Sequence, residues 1–125
     1  MNTIQTFAAP AGRLLMALIF LMAGISKITG YEGTQGYMEA AGVPGALLPL
    51  VIATEILGAI AIILGWKTRF AAFALAGFSI VSALIFHGDF SNPAEMNSFM
   101  KNIAMAGGFL LLFAHGPGAL AIDNR

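Results

Sequence analysis

Six side chains in this sequence carry most of its chemical potential: Arg13, Lys27, Glu55, His87, Lys101 and Asn102. Glu55 is the one whose position demands an explanation. It stands in the middle of an apolar run from Ala46 to Gly65. At about 1.5 Å of helical rise per residue, that run spans about 30 Å, the hydrocarbon thickness of a bilayer. A carboxylate at such a midplane costs at least about 2.5 to 3.5 kcal/mol on insertion scales, so it must be neutral, paired or turned toward a wet cavity. One reading makes Glu55 a buried tie between helices. The other makes it part of a ligand, proton or ion site. Lys27 falls one to two turns nearer the outer surface on the neighbouring span, and its stem of about 6 Å, extended by a water, covers much of that offset. Lys27 and Glu55 are therefore expected to form one buried polar network, with His87 or Lys101 beside it. Such donors suit quinone carbonyls, a carboxylate or a lipid headgroup, above a carboxyl group that holds or passes a proton.

Other chemistries are excluded by composition. The chain has no cysteine, which removes thiolate nucleophiles, dithiol relays, iron–sulfur ligation and covalent haem. Any redox role must use a diffusible or partner-borne cofactor. The two histidines, His87 and His115, fall at opposite ends of their spans, about 20 Å or more apart in depth, so they are not expected to share a metal or a haem. The formal net charge is zero and no basic cluster points to nucleic acid.

These groups must be positioned by membrane helices. Apolar residues make up 58% of the 125 residues and mean hydropathy is +0.85, above the roughly 45–50% apolar content of soluble domains. Four stretches have the length to span: 12–29, 46–65, 69–87 and 100–120, each near the roughly 20 residues required. They predict an all-α, single-domain integral membrane protein, an antiparallel four-helix bundle covering 1–125. A short surface helix around 34–41 is expected between the first two spans, stopped by Gly42 and Pro44. Spacings of three and four put Arg13, Ala17, Phe20, Gly24 and Lys27 on one inward stripe. The corresponding stripes are Val51, Glu55, Gly58, Ile62 and Gly65; then Arg69, Ala72, Ala76, Ser79, Ala83 and His87; then Asn97, Lys101, Met105, Gly108, Leu112 and His115. Small residues on these stripes let backbones approach closely. Arg13, Lys67, Arg69 and Arg125 place both termini and the Lys67 turn in the cytoplasm by the positive-inside rule. Tyr31, Tyr37, Phe86, Phe90 and Phe99 gather at the outer mouth, as an interfacial belt or a stacking platform for a flat ligand, while Trp66 and Phe70 anchor the opposite face.

The stretches Gly12-Arg13-Leu14-Leu15 with Gly24 and Lys27, Gly33-Thr34 with Tyr37-Met38, Glu55 with Gly58, Thr68-Arg69, His87, Asn97, Lys101-Asn102 and Gly116-Pro117-Gly118 resemble the DoxX family of small bacterial and archaeal membrane proteins. The resemblance covers nearly the whole chain. It implies a four-helix bundle in the bacterial or archaeal cytoplasmic membrane, and by position it carries over Arg13, Lys27, Glu55, Arg69, His87, Lys101 and Asn102 as the polar set. The family's namesake is a subunit of an archaeal thiosulfate:quinone oxidoreductase, and a mycobacterial relative is associated with a membrane redox complex. The function implied is a membrane subunit of a quinone-linked redox system, with quinone as a non-covalent cofactor and soluble or membrane redox proteins as partners. The alternatives are an anchor or assembly partner with no ligand of its own, or a small transporter module that works as a homo-oligomer.

Overall fold

The computed structural model describes residues 3–89 and 91–124, so Phe90 and Arg125, named above, lie outside the described residues. It is all-helical, with no strand among the described residues. Helix α1 runs Thr3–Thr29, α2 Tyr31–Ala40, α3 Leu48–Leu64, α4 Thr68–Phe86 and α5 Pro93–His115. Single 3-10 turns, Gly45–Leu47 and Ile122–Asn124, precede α3 and close the described chain.

Local chemistry sets the boundaries. Pro49 occupies the first turn of α3, where a missing N–H is tolerated. That helix stops at Gly65, whose φ of +69° lets the Trp66 N–H reach back to the Ala61 carbonyl at 2.9 Å. Any side chain at Gly65 would also collide with Ala121 and the Arg13 guanidinium. Asn92 caps α5 by accepting from the Ala94 N–H at 3.0 Å, with Pro93 following it. Helix α5 ends at His115, five residues earlier than the expected span of 100–120, because Gly116 takes a φ of +83° and turns the chain back. The short helix after α1 begins at Tyr31 rather than near Thr34, since Gly30 alone separates the two.

Pairs across the interfaces show that successive long helices run antiparallel. Arg13 meets Ile63 and Lys27 meets Glu55 between α1 and α3, and Ser79 meets Asn102 while Phe73 meets Phe113 between α4 and α5. A three-residue connection, 65–67, joins α3 to α4. Phe20 binds the group together at its centre, edge-on to Phe78 of α4 at 6.2 Å and to Phe109 of α5 at 5.5 Å. The core around it is mostly small: Ala17, Ala59, Ala72 and Ala76 are buried with Ile62 and Leu75. At Gly24 α1 and α3 approach closely, and a Cβ there would strike Ile56. Large apolar residues point outward instead, Leu15, Leu57, Phe70 and Leu84 among them. That distribution fits a lipid surround, in which outward apolar groups cost nothing and association depends on close packing. Helices α1, α4 and the Gly45–Leu64 segment are long and apolar enough to cross a membrane.

The last residues are not a loose tail. The Asp123 carboxylate accepts from the Lys67 N–H at 2.7 Å and the Thr68 N–H at 2.8 Å, so it caps the start of α4 in place of a local N-cap side chain. The Asp123 N–H in turn donates to the Gly65 carbonyl at 2.8 Å. These bonds, the Thr68 N–H foremost, hold the Asp123 carboxyl below the ordinary aspartate range. A carboxyl group whose folded pKa is depressed contributes stability that is complete above its unfolded value, about 3.9, and disappears as pH falls through the lower folded value. Asp123→Asn keeps one acceptor oxygen but loses the charge and the second acceptor, and should therefore cost about 0.5 to 1.5 kcal/mol at pH 7, the worth of one hydrogen bond. Thermal unfolding in detergent should show the two proteins converging as pH falls below about 3.9. A difference that persisted at pH 2 would mean that charge on Asp123 is irrelevant.

Candidate functional site

The structure brings Lys27 of α1 and Glu55 of α3 into direct contact, with the ammonium 2.8 Å from Oε1 and donating to Oε2 at 3.2 Å. No water is needed to bridge the offset: Gly24, three residues before Lys27, lacks the side chain that would strike Ile56 next to Glu55, so the two helices approach closely there. Glu55 is 3% exposed, while about a quarter of the Lys27 side chain is accessible. The pair is therefore asymmetric: the carboxylate is sealed and the ammonium sits at the edge.

Two hollows meet at this pair. The larger, about 480 Å³, lies between α2, α3 and α4 and is walled by Leu50, Val51, Val81 and Ile85, with Met38 and Tyr37 of α2 above it. The smaller, about 210 Å³, lies on the α1 and α5 side and includes Phe20, Ser79, Asn102 and Met105. Lys27, Glu55, Phe78, Ser82 and His87 line both. At the mouth of the larger hollow the Tyr37 and Phe86 rings stack with centroids 5.3 Å apart and planes 20° from parallel. An apolar chamber with a few convergent polar groups is the usual form of a small-molecule site.

The remaining polar residues fall into place unevenly. His87 lines both hollows, but its Nδ1 lies 3.0 Å from Glu95 at the start of α5, so it is paired across the helix ends and not with Glu55. Asn102 turns inward and donates to the Ser79 carbonyl at 3.3 Å. Lys101 does not join the network: it is exposed, as is Asn97. The inward face of α5 is instead Asn102, Met105, Ala106, Phe109 and Leu112, one residue round from the stripe expected. Lys101 gains more from the polar surface than from a chamber already holding an ammonium, and the rotation gives Asn102 a carbonyl partner. Arg13 belongs to the other end of the protein. It is 2% exposed and its guanidinium donates to the carbonyls of Ala119, Leu120 and Ile63 at 3.0, 2.9 and 3.4 Å. Arg69 and His115 line a hollow at that same end. Sequence reasoning passed over Ser82 and Glu95, which a reading of the α4 face beyond Ser79 and of charges near His87 could have found, and it passed over Asp123, for which no local signal exists.

A helical membrane protein with a buried ion pair at the junction of two hollows is the class this geometry defines. The chain belongs to the DoxX family, whose model matches residues 8–88. It is 48% identical over 124 residues to the inner membrane protein YqjF of Escherichia coli (strain K12), across 99% of this chain and 95% of that one. It is 38% identical over 141 residues to the inner membrane protein YphA of the same organism, across the whole of both. CatD of Bacillus subtilis (strain 168), an oxidoreductase by name, is 29% identical over 73 residues, 58% of this chain and 54% of that protein. No solved structure matches the chain significantly. It is thus an inner-membrane protein of the DoxX family.

Proposed function

We propose that this protein is the membrane subunit of a quinone-linked redox system and holds the head of a quinone in the larger hollow, against the Lys27–Glu55 pair. In this reading the chain crosses the membrane four times. Helix α5, 23 residues and about 34 Å long, is the fourth span; its polar first half, with Asn97, Lys101 and Asn102, lowers its apolar content. Both termini lie in the cytoplasm and α2 rests on the outer surface.

The observation that carries the proposal is the buried pair lining a largely apolar chamber. Lys27 retains protons that Glu55 does not use, and one can be donated to a carbonyl oxygen of a flat ring. Glu55 orients the ammonium and can hold a proton beside it. His87 offers a second ring nitrogen at the rim, and the stacked Tyr37 and Phe86 rings supply a planar surface at the entrance. Quinone, when bound, supplies the electron chemistry that these side chains lack. A relative that is an oxidoreductase by name agrees with this reading.

Protein extracted in a mild detergent should carry quinone recoverable into organic solvent, and Lys27→Met should lose most of it while an outward-facing control, Leu57→Ala, keeps it. A wild-type protein free of quinone, and unable to take it up from quinone-containing vesicles, would leave the ligand-free anchor as the better account.

A further inference from the structure

We propose that the outer seam between α3 and α4 holds one acyl chain of an anionic phospholipid, whose phosphate rests on Lys67, Arg69 and His115. The seam is a groove of about 360 Å³ with a floor of small residues, Gly58, Ala61, Ala71 and Ala74. It extends from Ala53 to Trp66, about 17 to 20 Å at helical rise, which is close to the depth of one leaflet's hydrocarbon. Its mouth is formed by Trp66, Lys67 and Phe70, and Lys67 and Phe70 also line a second hollow of about 530 Å³ that contains Arg69 and His115. The apolar trough and the cationic hollow therefore adjoin each other at Lys67 and Phe70.

Charge identifies the occupant. Among the described residues neither Lys67, Arg69 nor His115 has an ion-pair partner. The carboxylate lining the same hollow, Asp123, has one oxygen on the Lys67 N–H and the other on the Thr68 N–H. The left-handed backbone at Lys67, φ 48°, sets its ammonium 5.3 Å from the Trp66 ring centroid, at the junction of trough and hollow. A phosphate there would sit between the exposed Lys67 and Arg69 cations while its chain fills the trough. A zwitterionic headgroup brings its own ammonium and gains less.

Trp66 is the chain's single tryptophan and half exposed at the groove mouth, so it reports occupancy directly. Its fluorescence should be read in vesicles containing phosphatidylglycerol or phosphatidylcholine brominated along the acyl chain. Each cation near an anionic surface contributes roughly fivefold in affinity. Brominated phosphatidylglycerol should thus displace unlabelled phosphatidylcholine from Trp66 at least about tenfold more effectively than brominated phosphatidylcholine does, and Lys67→Gln with Arg69→Gln should abolish that preference. Ala74→Phe faces outward and keeps every charge; it should weaken quenching by both lipids by filling the trough. Equal quenching by the two lipids, a preference untouched by the charge substitutions, or quenching untouched by Ala74→Phe would each overturn the proposal. So would displacement of the brominated phosphatidylglycerol by millimolar glycerol phosphate, which would make this a site for a soluble anion.

Discussion

Lys27→Met should destabilise the protein by about 3 to 5 kcal/mol, the cost of stranding a buried charge, whereas Glu55→Gln should cost less, about 1 to 3 kcal/mol. The asymmetry follows from burial. When Lys27 is lost, Glu55, 3% exposed at mid-helix, keeps no cationic partner. When Glu55 is lost, the ammonium is already partly accessible and its flexible stem can lead it to the surface. In the double substitution neither charge remains, so the total should fall short of the sum of the two single losses. Thermal unfolding of the four proteins in one detergent closes the cycle. Strictly additive losses would mean that the 2.8 Å contact carries no coupling, and an Glu55→Gln loss larger than that of Lys27→Met would contradict the burial argument.

The same pair separates a packing tie from a ligand site. If it served packing alone, substitutions at Lys27 and Glu55 would change melting temperature and quinone content together. The larger hollow gives a way to part them, because Val81 and Ile85 line it without touching the ion pair's own chemistry. Quinone content and stability can then be followed in a variant that leaves both charges in place.

The inward face of α1 was legible because charges near its two ends pin the face that lies between them. Arg13, Ala17, Phe20 and Gly24 are its buried residues, in the register that their spacing implied. Glu55 on α3 was legible for the related reason that a carboxylate in an apolar run has few tolerable directions. Helix α5 was not legible. Its stripe was read through polar residues, and Lys101 and Asn102, adjacent in sequence, point about 100° apart; which of them turns inward depends on the Ser79 carbonyl of another helix. The return of the chain after Gly116 was invisible to periodicity, since residues 117–124 have none. Asp123 caps a helix that begins 55 residues earlier, and a partnership of that separation arises only from the folded arrangement.

Arg13→Gln should be among the most damaging single substitutions in the chain, at about 2 to 5 kcal/mol, while Lys67→Gln should cost no more than about 1 kcal/mol. Both are basic residues at the same end of the protein, and a topology signal would treat them alike. Their surroundings differ. Lys67 is exposed, with its ammonium 5.3 Å from the Trp66 ring centroid. Arg13 is buried, and its planar fork bonds the last turn of α3 through Ile63 and the returning chain through Ala119 and Leu120. A glutamine has two donors on a shorter stem and cannot reach three carbonyls, and hydrogen bonds from a charged donor are worth about 1.5 to 3 kcal/mol each. Arg13→Lys restores the charge as a point without the fork, and should recover only part of the loss. Loss of Arg13 also frees the segment that carries the Asp123 cap of α4. Limited proteolysis should therefore cut between Gly116 and Asn124 in Arg13→Gln well below its melting temperature, and leave Lys67→Gln intact. Equal melting temperatures with equal protease resistance would show that Arg13 acts only in setting orientation.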